Sequence, residues 1–186
     1  MKLITAAHLA DMAAAAGTAP RRRTHATLHD ESADPVQRVV IALQPGTYVR
    51  PHRHVDTVWE LFAVLDGALA VLTFDAAGKV TGRHELRPGG DRIAQLAPGQ
   101  WHSVVALAPD TLALEVKPGP YRPTTDKDFA AWAPAEGQDG AAAMVAWLEQ
   151  AQPGATPSGR PAPPAVPPPA PDGPDPDRGS GGGRRP

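Results

Sequence analysis

Eight short runs of apolar and β-branched residues, each closed by a turn signal, constrain the fold of this chain more than any other feature. Pairs such as Pro-Gly, Asp-Gly and Pro-Asp separate most of the runs, which cover residues 38–43, 48–54, 60–65, 68–74, 80–86, 92–96, 103–107 and 111–117. Short strands with regular turn signals are typical of an all-β sandwich or barrel. We therefore predict one β-barrel domain over residues 36–118.

Three further segments flank the predicted barrel. Residues 1–35 begin with an alanine-rich helix, for which Thr5 is a suitable N-cap, and continue as an irregular segment. Residues 119–152 form a capping segment that ends in a short helix over 141–151. Residues 153–186 hold more than half of the chain's 23 prolines, so we predict a disordered tail that buries too little apolar surface to fold.

Composition excludes several classes of function. The 186 residues carry a formal net charge of −2, which argues against binding to nucleic acid or to an anionic membrane. There is no cysteine, so disulfides, thiolate zinc sites and thiol nucleophiles are excluded. His8 and Asp11 interrupt the first apolar stretch, so we expect no signal peptide, no transmembrane span and a cytoplasmic location.

The strongest chemical signal is a set of three histidines and one glutamate. On an extended strand His52 and His54 point to the same face, because side chains two residues apart share a face. Glu60 follows at the start of an apolar run, and His102 comes directly after a Pro-Gly turn. Imidazole and carboxylate ligands together suit one divalent transition metal, so these four residues are a candidate metal site.

Tyr48 and Arg50 share strand parity with His52, and we predict that both face the barrel interior as substrate-binding residues. A guanidinium near a metal can clamp a carboxylate or a phosphate of the ligand. The alternatives for Arg50 are a position in water at the barrel mouth, or an internal pair with a carboxylate such as Glu115.

The spacing of these residues resembles the first motif of the cupin superfamily. Five residues separate Gly46 from His52, five separate His54 from Glu60, and six separate Glu60 from Gly67. The gap before the glutamate is slightly longer than usual in the family, so a bulge or loop between residues 55 and 59 must redirect Glu60. The second motif is present only in part: Gly99-x-x-His102 matches, and Ala106 stands where asparagine is usual. The resemblance implies a jelly-roll (double-stranded β-helix) barrel that holds one divalent metal, with Fe, Mn, Ni and Zn all open.

A finer resemblance is to the WbuC group of cupin-fold metalloproteins, which are associated with gene clusters for surface polysaccharide, or O-antigen. It spans roughly residues 1–137, departs at residues 24–27 and in the tail, and is carried by the segments GTYVRPHRH, WELF, FDAAGKV, WHSVVAL, EVKPGPY and DKDFAAWAPAEG. Membership would imply a cupin barrel and a bound metal, and for an enzyme of this kind we expect a small-molecule substrate such as a sugar or sugar nucleotide. It supplies no reaction.

Two classes of function therefore stay open. One is a metal-dependent enzyme of the isomerase, epimerase or dioxygenase type, in which the metal acts as a Lewis acid or binds dioxygen. The other is a non-catalytic cupin that binds or senses a small anionic ligand. No catalytic residue is assigned at this stage, and a homodimer is left open.

Overall fold

The computed structural model describes residues 1–54, 57–123, 125 and 128–157. Within this part of the chain, eight strands lie between two helices. In chain order the elements are α1 Ala6–Thr18, β1 Arg23–Thr27, β2 Val36–Leu43, β3 Glu60–Asp66, β4 Leu69–Phe74, β5 Val80–Leu86, β6 Ile93–Leu96, β7 Trp101–Ala106, β8 Thr111–Pro118 and α2 Ala141–Gln150. No helix among the described residues is long and apolar enough to cross a membrane.

The strands form two antiparallel sheets that pack face to face. One sheet has five strands in the order β1-β2-β8-β3-β6, and the other has three in the order β5-β4-β7. A cluster of buried apolar side chains fills the space between them, with members Leu43, Phe62, Val64, Leu69, Val71, Leu86, Leu96, Val104, Ala106 and Ala113. The all-β, two-sheet architecture predicted from the strand and turn pattern is confirmed.

Both sheets are also covered on their outer faces. Met12 and Ala16 of α1 pack on Val40 and Ala42 of β2, so α1 covers the five-stranded sheet. The three-stranded sheet is covered by α2 and the segment before it, in a second core that includes Phe74, Trp132 and Leu148. This double cover explains why β4 reads as a nearly continuous apolar run, since its side chains are buried on both faces.

The observed bounds of the two helices agree closely with those predicted from the sequence. Helix α1 begins where predicted, and the Thr5 hydroxyl accepts a hydrogen bond from the His8 amide at 3.2 Å. Helix α2 covers Ala141–Gln150, one residue shorter than predicted.

Two strand assignments differ from the sequence prediction. The irregular segment before residue 36 contains β1, which pairs with β2 in the register Arg23 to Leu43. The predicted strand over 48–54 is not a regular strand: it is extended and forms single bridges at His52, to His102 and to Phe129. In both places long-range pairing, which local residue preferences do not report, decides the backbone conformation.

The predicted start of the tail at residue 153 is too early. The Val80 amide donates to the Ala155 carbonyl at 2.9 Å, and the Gly154 amide donates to the Val80 carbonyl at 2.8 Å. Ala155 also packs against the core beneath α2, and Pro157 is buried. The packed chain therefore extends to residue 157, and the remainder of the predicted tail lies outside the described residues.

Truncation separates these two parts of the C-terminal segment. A chain ending at Gln152 loses two backbone hydrogen bonds to Val80, each worth about 1 kcal/mol, so it should melt roughly 4 °C below the full chain. A chain ending at Pro157 retains these contacts and is the matched control. Thermal unfolding followed by circular dichroism measures both, and equal melting temperatures for the two truncations would contradict the assignment.

Candidate metal centre

Backbone pairing brings two of the candidate ligands side by side. The His52 amide donates to the His102 carbonyl at 2.9 Å, and the His102 amide donates to the His52 carbonyl at 2.8 Å. This reciprocal pair joins the extended segment before β3 to the second residue of β7, and it sets the two imidazole centroids 4.3 Å apart. Two residues opposite each other on antiparallel segments have side chains on the same face.

The other two candidates complete the cluster. His54 lies two residues beyond His52, and Glu60 is the first residue of β3. One ligand atom from each of the four residues lies within 4.8 Å of all the others. The structure thus brings together His52, His54, Glu60 and His102, the four residues that the motif spacing selected. Residues 55 and 56, part of the predicted bulge or loop, lie outside the described residues.

Two of the motif glycines are required by the backbone around the site. Gly67, in the turn that ends β3, has φ +72°, and a Cβ there would lie 2.6 Å from the Thr111 hydroxyl oxygen. Gly99 has φ +73° in the turn that leads into β7 and His102. A left-handed backbone with no room for a side chain favours glycine, which explains these motif positions physically.

The proton positions on two imidazoles follow from their hydrogen bonds. Nδ1 of His52 lies 2.9 Å from the Arg50 carbonyl, and Nδ1 of His102 lies 2.9 Å from the Gln100 carbonyl. A carbonyl only accepts, so Nδ1 carries the proton in both rings and Nε2 of a neutral ring presents a lone pair to the cluster. Metal-binding histidines are commonly held in this way, with the second ring nitrogen donating to a carbonyl.

Three polar atoms of the cluster are buried without a hydrogen-bond partner among the described residues. They are Nε2 of His54, Nε2 of His102 and Oε2 of Glu60. Oε2 lies 2.8 Å from Nε2 of His102 and 3.2 Å from Nε2 of His54, but these short contacts are not aligned as hydrogen bonds. Unpartnered buried polar atoms each cost about 1–3 kcal/mol, so their convergence calls for a bound cation.

The spacing of these atoms also fits a metal. Two ligands bound at about 2.1 Å and at right angles around one ion lie ~3.0 Å apart. The contacts of 2.8 and 3.2 Å between the glutamate oxygen and the imidazole nitrogens bracket that value. The residues present therefore fit a divalent transition metal.

Burial and neighbouring charge set protonation states that suit metal binding. Burial, together with the nearby His102, lowers the pKa of His52 to about 3. Burial alone would raise the pKa of Glu60, but contacts with His102 and His54 outweigh it and hold that pKa well below its usual range. A neutral imidazole and an ionised carboxylate are the forms that coordinate a metal.

Two charged residues of the cavity, Glu115 and Lys117, were not among the predicted site residues. Nζ of Lys117 lies 3.2 Å from Oε1 of Glu60 and 2.6 Å from Oε1 of Glu115. Burial and the negative charge of Glu60 together raise the pKa of Glu115 to about 7. Burial alone would lower the pKa of Lys117, but the two carboxylates outweigh it and raise that pKa.

The signal for this pair was present in the sequence. Strand β8 reads TLALEVKP, and its two charged residues are two positions apart, on one face of an otherwise apolar strand. Glu115 stands opposite Phe62 of β3, which also lines the cavity. Charged side chains that share the inward face of a buried strand indicate an internal polar network.

The four candidate ligands line a cavity of about 200 Å³ between the two sheets, together with Glu115, Lys117 and Arg23. A smaller space of about 120 Å³ continues beyond His54 and Lys117 and is lined in part by Arg53 and Tyr121. The candidate metal centre is therefore buried, and the smaller space adjoins it at the end of β8.

Tyr48 and Arg50, the predicted substrate-binding residues, lie outside the metal cavity. The Tyr48 hydroxyl donates to the Pro134 carbonyl at 2.8 Å, and its ring belongs to the core beneath α2. Arg50 donates from Nε to the Ala133 carbonyl at 3.1 Å and lines a neighbouring cavity that includes His52. Because residues 48–50 are not in a regular strand, strand parity does not carry over from His52 to Tyr48.

Comparisons with known proteins give partial matches. The model of a domain of unknown function (DUF6016) matches residues 4–86. No curated protein matches the chain.

Among solved structures, the chain is similar to KdgF from a Halomonas species, with 22% identity over 56% of this chain and 84% of that chain, at a TM-score of 0.44. It is similar to a cupin-superfamily sugar phosphate isomerase from Silicibacter pomeroyi, with 20% identity over 52% and 59% of the two chains, at a TM-score of 0.42. It is also similar to oxalate decarboxylase OxdC of Bacillus subtilis, with 19% identity over 58% and 27%, at a TM-score of 0.44. The matched part spans less than two thirds of the latter two chains, and these likenesses supply neither a substrate nor a reaction for this chain.

Metal analysis tests the cluster directly. The double variant His52→Ala/His54→Ala should lose stoichiometric metal, because two of the four converging ligands are gone. The matched control is His8→Ala/His25→Ala, which removes two exposed imidazoles and should retain the metal of the unaltered protein. Elemental analysis of protein purified without added metal gives the metal-to-protein ratio, and one tightly held equivalent in the first variant would place the site elsewhere.

The buried lysine can be tested through stability. Lys117→Met leaves Glu60 and Glu115 without their shared cation and should lower the free energy of unfolding by about 3 kcal/mol. Glu115→Gln/Lys117→Met removes one of the two stranded charges and should recover part of that loss. Urea unfolding in the presence of a chelator measures both, with exposed Lys79→Met as the control; a Lys117→Met effect no larger than that of the control would contradict the network.

Proposed function

We propose that this protein binds one divalent transition metal through His52, His54, Glu60 and His102 and uses it to act on a small anionic molecule. The observation that carries the proposal is the convergence of buried, unpartnered Nε2 and Oε2 atoms on one point between the sheets. When bound, the metal supplies Lewis-acid chemistry to a ligand in the cavity.

The residues around the ligands have positioning roles in this proposal. The Arg50 and Gln100 carbonyls hold the rings of His52 and His102 with Nε2 toward the cluster. Lys117 donates to Oε1 of Glu60, which leaves Oε2 directed at the imidazoles. Such outer contacts fix ligand orientation and raise the affinity of a site for its metal.

Charge balance favours an anionic ligand. Glu60 and Glu115 contribute negative charge to the cavity, which Lys117 offsets in part, while Arg23, which lines the cavity too, is paired with Glu136. A divalent ion added to this set leaves a net positive cavity surrounded by apolar side chains. Because electrostatic interactions are strong where water is excluded, a carboxylate or phosphate group is the natural partner.

The size of the cavity limits what lies at the metal. About 200 Å³ accommodates the reacting part of a sugar acid or sugar phosphate, while a sugar nucleotide must extend into the neighbouring spaces. The resemblance to the WbuC group supports a ligand from surface polysaccharide metabolism. We therefore propose acidic or phosphorylated sugars as the substrate class.

A ligand panel tests this function. Sugar acids, sugar phosphates and sugar nucleotides should raise the melting temperature of the metal-loaded protein, since a ligand at 100 times its dissociation constant stabilises by about 2.7 kcal/mol. Uncharged parent sugars should have little effect, and His102→Ala, which lacks a ligand of the metal, should respond weakly to all of them.

Proton NMR of each stabilising mixture then reports turnover. Conversion of the ligand supports an enzyme, whereas saturable binding without conversion indicates the non-catalytic alternative. Equal stabilisation by charged and uncharged sugars would contradict the anionic ligand class, and an unchanged response of His102→Ala would contradict a role for the metal.

A further inference from the structure

A second cavity, of about 420 Å³, adjoins the metal cavity and is lined by three arginines. We call it the arginine pocket; Arg21, Arg23, Arg50, Phe129 and Glu136 line it. His52, Val49 and Arg23 line both this pocket and the metal cavity. An occupant of the pocket would therefore lie directly beside a metal ligand.

Two of the arginines already clamp an oxyanion, the carboxylate of Glu136. Nε and Nη2 of Arg21 donate to its two oxygens at 2.8 and 2.6 Å, and Nη2 of Arg23 donates to Oε2 at 3.1 Å. This forked geometry is the one by which arginine recognises carboxylates and phosphates. The pocket is thus shaped for an oxyanion, and Glu136 occupies part of it.

Arg50 adds a positive charge to the pocket that is not paired with Glu136. Its guanidinium is fixed by donation to the Ala133 carbonyl at 3.1 Å and the Ala130 carbonyl at 3.3 Å, and it lies 4.9 Å from the centre of the Phe129 ring. Among the described residues, Arg50 forms no ion pair and its Nη1 has no hydrogen-bond partner. A half-buried, preorganised guanidinium with a free edge is a ready donor to an anion.

The backbone beside the pocket is strained. Arg22, between the two arginines that hold Glu136, has φ +53°, a left-handed conformation uncommon for residues other than glycine. Its own side chain is tied to the Pro45 carbonyl at 2.7 Å, a contact that fixes this conformation. Strained positions persist where the surroundings enforce them, and they cluster at binding sites.

We propose that the arginine pocket binds the phosphate or carboxylate group of a small molecule, with Arg50 as its first donor and with Arg21 and Arg23 shared between the ligand and Glu136. Binding of the anion itself does not depend on the metal. That the anion is the distal group of the substrate rests on the function proposed above.

Inorganic phosphate is the probe, titrated into the purified full chain by isothermal calorimetry. Arg50→Gln should weaken phosphate binding by about tenfold or more, because it removes the charged donor. Arg87→Gln removes the same charge from the exposed turn after β5 and should leave the affinity unchanged. Equal affinity in Arg50→Gln and the unaltered protein would overturn the proposal.

Glu136→Gln provides a test of opposite sign. Without the competing carboxylate, Arg21 and Arg23 become available to the ligand, so phosphate should bind several-fold more tightly. If the cluster only held the fold together, the affinity for phosphate would fall or stay unchanged in Glu136→Gln as well as in Arg50→Gln. Weaker or unchanged binding in Glu136→Gln would therefore overturn the proposal even if Arg50→Gln is unstable.

His102→Ala separates the pocket from the metal. His102 lines the metal cavity but not the arginine pocket, so this variant should keep its affinity for phosphate while losing metal. Loss of phosphate binding in His102→Ala, with Arg50→Gln unaffected, would place the anion on the metal and overturn the pocket. Absence of metal from the unaltered protein, with phosphate binding still sensitive to Arg50→Gln, would overturn the proposed function and leave the pocket standing.

Discussion

The His52 and His102 backbones exchange two hydrogen bonds, and the geometry of the metal centre depends on this pair. The segment around His52 is not a regular strand, yet it is held on two sides. The Arg53 amide and the Pro51 carbonyl bond to Asp128 and Ala130, on the far side from β7. Because both edges are satisfied, the backbone of the segment is held as in a strand, and the His52 ring is oriented further by the contact of its Nδ1 with the Arg50 carbonyl.

Glu60 shows how the same cavity tolerates buried charge. One carboxylate oxygen accepts a hydrogen bond from Lys117, and the other faces two imidazoles without forming a hydrogen bond. The side chain is only 3% exposed, and an isolated carboxylate at this depth would take up a proton instead of remaining ionised. Lys117 stabilises the ionised form from one side, and a cation bound among the imidazoles would stabilise it from the other.

The sequence predicted the parts of this structure that local rules control. Short apolar runs closed by turn residues predicted seven of the eight strands seen in the described residues, and Thr5 marked the first helix. The spacing of glycines and histidines selected the four clustered residues. The turns beside β3 and β7 have a left-handed backbone that favours glycine, so the positions of these turns can be recognised in the sequence. Strand β1 was missed because its polar sequence forms a strand only through pairing with β2, and the clamp on Glu136 was missed because Arg21 and Glu136 are 115 residues apart. Lys117 and Glu115 were visible as a charged pair on an inward strand face, and only the register of β8 against β3 shows what they contact.

The segment formed by residues 128–134 has a consequence for how the site forms on the ribosome. Residues 48–53 hydrogen-bond to residues 128–134 through the Tyr48 hydroxyl, the Arg50 guanidinium, the Pro51 carbonyl and the Arg53 amide. All four candidate ligands emerge during synthesis before any of these partners does, because His102 precedes Asp128. A nascent chain therefore displays the three histidines while the segment that holds the second edge of residues 51–53 is still unsynthesised. The hydrogen bonds that hold the His52 segment are therefore complete only after the stretch ending at Pro134 has been synthesised.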